Sequence, residues 1–460
     1  MNDQRGRMME STPVPKLLIQ FSIPTIVGML VNALYNVVDR IFLGQAISRL
    51  AIGGVYLAFP FMIVSMAFAM LIGFGGNALS SIELGRKHRE TSEQILNNAF
   101  VLLFLCGLVL AGIYTIFMKP LLLMFGGSEK LLPYATEYLS IIILFLPIYT
   151  VEFGINAFTR GEGNPKISML TMLIGALVNT VLDYIFIVRW GWGIAGAAWA
   201  TGIGQCCSFL CLIYYFTWGS STLKLHFPPT LKTSLILPAL KLGTSNFGMQ
   251  VVSSLIVVIY NMKLQQYGGD FGVSTAGVIQ SITTLVLMPI IGLNQGAQPI
   301  MGYNYGAGNY RRVKETLKTA MIIATSYALL FWIFIELKPT WFLNIFGKEK
   351  NPENIAAQIQ AARCYFLMLP SIGSQIICAN YFQATEKPFI GLLTSLSRQL
   401  LILLPSIYIF SGLFGFIGIW IASPVSDFFA WMITLFFIKR DLPRLQEKKS
   451  SKFVDRKSVV

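Results

Sequence analysis

Long apolar stretches alternate with short polar connections from one end of the chain to the other. Apolar runs of about 20 residues cross a bilayer as helices, which satisfy every backbone amide without water. Read this way, the sequence predicts spans near 17–43, 52–80, 97–118, 137–159, 167–188 and 194–217. A second set follows near 238–262, 274–301, 316–337, 360–383, 389–410 and 413–438. The expected fold class is all-α integral membrane, with about twelve transmembrane helices in two six-helix bundles. The polar stretch 218–237, with Lys224, His226, Pro228, Pro229 and Lys232, is the long connector in the middle. The expected organisation is an N-terminal lobe over 1–217, that connector, a C-terminal lobe over 238–438 and a basic tail over 439–460.

Composition agrees. Of the 460 residues 55% are hydrophobic and 12% charged, against roughly 25% charged in soluble domains. The first apolar run is too long for a signal peptide and lacks a small-residue cleavage site, so it is expected to stay. A net charge of +14 would suit a nucleic-acid binder, but its distribution suits a membrane protein better. Of 35 Lys and Arg, 25 fall in 1–16, 84–94, 159–168, 218–241, 305–319, 384–398 and the tail from Lys439. Nine fall in the opposite connections, and Arg363 begins a span. The positive-inside rule then predicts a multi-pass cell-membrane protein with both termini cytoplasmic and no nucleic-acid partner. The six cysteines lie in apolar runs without metal-like spacing to His88 or His226, so neither zinc nor a disulfide framework is expected.

The halves are related. Phe74–Phe100 matches Gln295–Met321 at a shift of 221, Leu146–Lys166 matches Leu369–Phe389 at 223, and Gly193–Gly196 matches Gly415–Gly418 at 222. Six spans per half start both halves on the same side, so the repeat is parallel, about an axis along the membrane normal. Two such bundles enclose a cleft that can open to either side, the architecture of a secondary transporter. No Gly-x-x-x-x-Gly-Lys-Ser/Thr stretch points to an ATP-driven pump.

The ionisable residues expected to be buried in the membrane are few: Asp39, Glu152, Asp183 and Asp427. Such groups are costly in a bilayer and commonly serve transport. Asp39 stands about 33 Å along its helix from Leu17, so position alone also allows a boundary role. Asn179 and Asp183 share a helix face. The repeat supplies an internal control, setting Leu264 opposite Asp39, Leu401 opposite Asn179, Pro405 opposite Asp183 and Gln375 opposite Glu152. A bundle of this kind is built without those acids, which makes them a first-lobe site. Carboxylates together in a low dielectric take up a proton or bind a small hard cation such as Na⁺. Thr201 could add an oxygen ligand. Prolines 24, 147, 289, 299 and 370 mark bending points, and Pro24 shares a helix with Asp39. Tyr35, Glu152, Phe153, Asn156, Gln280 and Met288 are candidates to line the cleft, where aromatic faces and thioethers suit bulky, partly cationic ligands.

At this point the chain resembles a known family. Tyr35-Asn36-Val37-Val38-Asp39 with Phe42-x-Gly44, Arg160-Gly161-Glu162-Gly163-Asn164-Pro165, and Ser397-Arg398-Gln399-Leu400 with Pro405 resemble the multidrug and toxic compound extrusion (MATE) transporters. Asp39, Asn179, Asp183 and Thr201 match the first-lobe cation site of the DinF-like branch. The resemblance implies a Na⁺- or H⁺-coupled antiporter, in which loading that site reshapes the first helix and expels an amphipathic or cationic substrate. The NorM-like branch places acids on spans 7 and 10, where this chain has Gln250 and Gln375. A monomer needing no cofactor besides the coupling ion is expected. The alternative is a flippase for lipid-linked sugar precursors, whose anionic cargo would call for Arg or Lys lining the cleft; the sequence places no basic residue well inside the first-half spans. An intramembrane enzyme would need an acid/base or nucleophile motif, and none is present.

Overall fold

The computed structural model describes residues 2–46, 49–125, 131–226, 231–346 and 351–457. Side chains at 2–4, 32–33, 35–41, 43–46, 49–53, 56, 270, 273–274, 342, 344–346, 444 and 446–457 lie outside that description. The first half folds as α1 (Asn2–Ser11), α2 (Val14–Ala46), α3 (Arg49–Ala69), α4 (Gly75–Gly85), α5 (Arg89–Met124), α6 (Leu132–Gly161), α7 (Pro165–Asp183) and α8 (Gly193–Thr217). The second folds as α9 (Ile236–Gly306), α10 (Tyr310–Leu337), α11 (Pro339–Phe346), α12 (Pro352–Phe366), α13 (Leu369–Ala384), α14 (Pro388–Leu396) and α15 (Leu404–Lys457). Wider π-helical turns join α3 to α4 at Met70–Phe74, extend α7 over Tyr184–Arg189, and join α14 to α15 at Ser397–Leu403. There is no strand among the described residues.

Ten stretches of the described residues are long and apolar enough to cross a membrane, against the twelve expected. Two local features account for the difference. The tenth span breaks between Phe366 and Leu369, where Pro370 has no amide to return to the Phe366 carbonyl. The last two spans run together through Gly415, whose φ of 57° turns the chain between them. Gly269, at φ 56°, does the same inside α9. The polar N-terminus is helical, and the basic C-terminal segment, expected to be a tail, continues α15 through Lys457.

The repeat is written into the backbone. Lys87 and Gly308 have φ of 67° and 72°, Gly163 and Glu386 have 92° and 59°, and Gly193 and Gly415 have 62° and 57°. These pairs obey the sequence shifts of 221, 223 and 222 respectively. Left-handed backbone is rare outside glycine, so its recurrence at matched positions marks one turn geometry built twice. Lys87 and Glu386 keep that geometry without glycine.

The lobes meet along a glycine seam. A Cβ on Gly85 would stand 1.9 Å from the Tyr303 carbonyl oxygen, and one on Gly306 would stand 1.9 Å from that of Ile82. A Cβ on Gly75 would stand 2.2 Å from the Ala239 carbonyl oxygen and 2.7 Å from Gly243 N, and one on Gly296 would stand 2.8 Å from Ser22 Oγ. Only glycine lets helices approach to this distance. The seam lies toward the face that carries both termini, where the positively charged connections also gather. There Arg86 donates to Glu83 at 2.6 Å and to Glu386 of the other lobe at 2.7 Å. Asn97 and Asn98 donate to the carbonyls of Lys224 and Lys232 at 3.2 and 2.8 Å, and Lys387 pairs with Asp441. Across this face lies α1. Arg5 reaches Glu162 at 3.4 Å in the first lobe, while Arg312 of the second donates to the Met9 and Thr12 carbonyls at 2.9 and 2.6 Å.

Candidate functional site

The first-lobe polar site is built on close helix packing. A Cβ on Gly175 of α7 would stand 2.3 Å from Ser208 Oγ of α8, and one on Gly204 would stand 2.8 Å from the Gly175 carbonyl oxygen. Ser208 Oγ donates to the Thr171 carbonyl at 2.8 Å, fixing the register. One turn along from this contact, Asn179 Nδ2 donates to Thr201 Oγ1 at 3.4 Å. Asp183 follows one further turn on, with a relative exposure of 0%. Asn179 Oδ1 is buried and accepts no hydrogen bond among the described residues. Oxygen atoms on adjoining helices, deep in an apolar bundle, form the donor set a proton or a hard cation would use. The helix changes to π geometry directly after Asp183, a departure that often accompanies functional positions.

Asp39 and Tyr35 lie in α2, with side chains outside the described ones. The helix itself carries information. Pro24 is buried within it, and a Cβ on Gly28 would stand 2.8 Å from Met172 Sδ of α7. Both helices start at the face with the termini and run the same way. Asp39 is eleven residues beyond Gly28, and Asp183 is eleven beyond Met172. At 1.5 Å per residue the two positions fall at the same level, about 16 Å past that contact.

The other cleft candidates separate by environment. Glu152 of α6 is half-buried and has no hydrogen bond or ion pair among the described residues. Its neighbour Phe153 stacks on Phe74 with centroids 5.9 Å apart and rings 7° from parallel. Asn156 is 2% exposed and its amide is engaged. It donates to Thr171 Oγ1 at 2.8 Å and accepts from Arg160 at 2.8 Å and Ser168 at 2.6 Å. That network ties α6 to α7. Met288 is half-buried and Gln280 exposed, both in the second half of α9.

Two polar centres were not anticipated as such. Arg398, counted among the connection charges, lies inside the second-lobe helix run and pairs with Asp427. Its backbone carbonyl accepts from Ser426 Oγ at 2.6 Å. Glu162 is 2% exposed and gathers Ser221 Oγ, Thr222 N and Thr222 Oγ1 at 2.6, 2.7 and 2.6 Å, with the Tyr215 hydroxyl. It anchors the start of the central connector. Its signal was the unusual polar turn 160–165.

Comparison with known proteins agrees with this architecture. The family described as MatE matches twice, over residues 24–185 and 246–409, so each half carries its own copy of the pattern. The chain is similar to "Multidrug export protein MepA" of Staphylococcus haemolyticus (strain JCSC1435), with 27% identity over 94% of this chain and 96% of that protein. MepA of Staphylococcus aureus (strain MSSA476) is 24% identical over 91% of this chain and 92% of its own. Among solved structures, one described as an "Outward-facing conformation of a multidrug resistance MATE family transporter of the MOP superfamily" superposes with a TM-score of 0.89 at 23% identity, covering 96% of this chain and 99% of its own. Another, a MOP superfamily transporter from Pyrococcus furiosus described as having "reverse polarity of binding pocket", gives 0.87 at 24%, covering 96% and 98%. These likenesses are to the fold.

Proposed function

The chain belongs to the MatE family, a family of membrane transporters rather than enzymes, and on that premise we propose that it is a cation-coupled antiporter. It exports bulky amphipathic or cationic molecules by alternating access, with Na⁺ or H⁺ as the returning ion. One observation carries the coupling: in the first lobe Asn179 meets Thr201, with buried Asp183 one turn further on at the level of Asp39, while the second lobe has Leu401 and Pro405 at the positions of Asn179 and Asp183. A polar set that the repeated scaffold does without is there for binding. The names of the MepA relatives favour drug export over lipid flipping.

The positive-inside rule puts the glycine seam and both termini on the cytoplasmic side. With the lobes in contact there, the cleft opens outward. The membrane potential contributes about 2.3 kcal/mol per charge per 100 mV, enough for one inward cation to drive useful export. Glu152, half-buried and without a protein partner among the described residues, is suited to meet a cationic group of the cargo.

The test is efflux of ethidium from proteoliposomes under imposed Na⁺ or H⁺ gradients. Asp39→Asn and Asp183→Asn should each abolish gradient-driven export. Retention of full coupling by both would refute the assignment.

A further inference from the structure

The second lobe holds a polar pair in the place that corresponds to the first-lobe site. In each lobe the contact joins the fifth and sixth spans of the bundle: Asn179 with Thr201 in one, Arg398 with Asp427 in the other. At a shift of 222, Thr201 matches Ser423 and Asn179 matches Leu401. Asp427 lies one helical turn after Ser423, and Arg398 one turn before Leu401. The helices are antiparallel, so both displacements run the same way and the pair stands one turn nearer the face with the termini. Ala176 and Gln205 fill the matching first-lobe positions.

The carboxylate of the pair is deeply buried, and the arginine is its one partner among the described residues. Asp427 is 1% exposed, and its Oδ2 accepts no hydrogen bond among the described residues. Nearby, Tyr260 donates to the Ile419 carbonyl at 2.7 Å, and Gln399 donates to Ser253 Oγ at 2.8 Å. The rings of Tyr260 and Tyr365 flank Trp420, with centroids 5.9 and 6.1 Å away. A carboxylate in such a place needs a positive partner or a proton, and here the chain supplies the partner.

We infer that Arg398 is a tethered cation: its guanidinium permanently fills a second-lobe site that would otherwise take up a transported ion at Asp427. This rests on the cation-coupled reading of the first lobe. It means that only one lobe loads and unloads during the cycle, and that the present stoichiometry is set by an arginine rather than by the absence of a second acid.

The experiment counts cations bound per purified full-length protein in detergent, as ²²Na⁺ at fixed pH and as protons with an indicator dye. The wild type should bind about one, Arg398→Met about two, and Arg398→Met/Asp427→Asn about one again. Arg398→Gln, which keeps a hydrogen-bond donor beside Asp427, covers the case in which Arg398→Met does not fold and should also bind about two. Arg398→Lys, which keeps the tethered charge, should stay at one. A folded Arg398→Met or Arg398→Gln protein that binds no additional cation overturns the inference. Wild type binding none while Arg398→Gln binds one would sink the first-lobe reading and uphold this one; none in either sinks both.

Discussion

Gly85→Ala probes the seam between the lobes. The added methyl would sit 1.9 Å from the Tyr303 carbonyl oxygen, where real Cβ contacts begin at about 3.0 Å. The backbones must part by the difference, at least 1.1 Å, and the obstacle is main chain, which no rotamer change removes. Overpacking of this kind costs about 1–3 kcal/mol. Every 1.4 kcal/mol is tenfold, so the lobes should favour the closed seam about 5- to 150-fold less than in the wild type. The assay is labelling of Ser81→Cys, a seam residue 1% exposed, by an impermeant maleimide from the face with the termini, in a background lacking the native cysteines. Labelling should speed up at least several-fold in Gly85→Ala. Gly112→Ala is the control, because a Cβ there meets nothing within 4 Å. If the two variants label at the same rate, the seam does not hold that face shut and the reasoning fails.

Other outcomes follow from the same face and from the helix contacts. Glu162→Gln replaces one carboxylate oxygen by an NH2, so that either Tyr215 at Oε1 or Ser221 and Thr222 at Oε2 lose their acceptor; a loss of about 2–3 kcal/mol should appear as faster proteolysis within 218–226. Arg86→Glu should raise maleimide labelling at Ser81→Cys modestly, and Arg86→Glu/Glu386→Arg should return it. Both side chains are about one third exposed, so the pair is worth at most about 1 kcal/mol and the effect should fade at high salt. Asn156→Ala removes the carbonyl to which Arg160 and Ser168 both donate, leaving them the 2.6 Å bond from Arg160 to Ser168 Oγ. A drop in thermal stability worth about 1–3 kcal/mol is expected, with export by the remaining folded protein keeping its ion dependence. Pro24→Ala restores a backbone hydrogen bond in the middle of α2 and should reduce cation-dependent export if bending of that helix couples the ion to the substrate.

Much of the architecture was legible because bilayer thickness imposes a length and a hydrophobicity on each span. The parallel repeat was legible from three matched stretches, and the backbone carries it at Lys87, Gly163 and Gly193. Asn179 and Asp183 could be read from their spacing, since four residues return a helix to the same face. The contact of Asn179 with Thr201 came from the resemblance and not from spacing: it depends on Gly175 and Gly204, and glycine in a membrane helix serves many contacts. Arg398 was misplaced for a physical reason. It follows the polar turn at Glu386 and Lys387 by about three helical turns, and a window on hydropathy cannot tell a buried charge with a partner from a charge at a boundary. The partner, Asp427, lies in the next span. The helix α1 escaped notice because it has no apolar stripe of its own and gains its order from Glu162, Tyr303 and Arg312.

The seam has a further property. Gly85 approaches Tyr303 and Ala307, and Gly306 approaches Ile82 and Arg86; at a shift of 221 these are the same contacts exchanged between halves. Such reciprocity defines an isologous interface, the kind that two identical chains form about a two-fold axis. A half that once paired with its own copy would have needed glycine at this one position to close against itself, and fusion would then have fixed two glycines at a stroke. The interior of each lobe was free to diverge, as Asn179 and Leu401 did. The axis was not, because there each half is still the other's template.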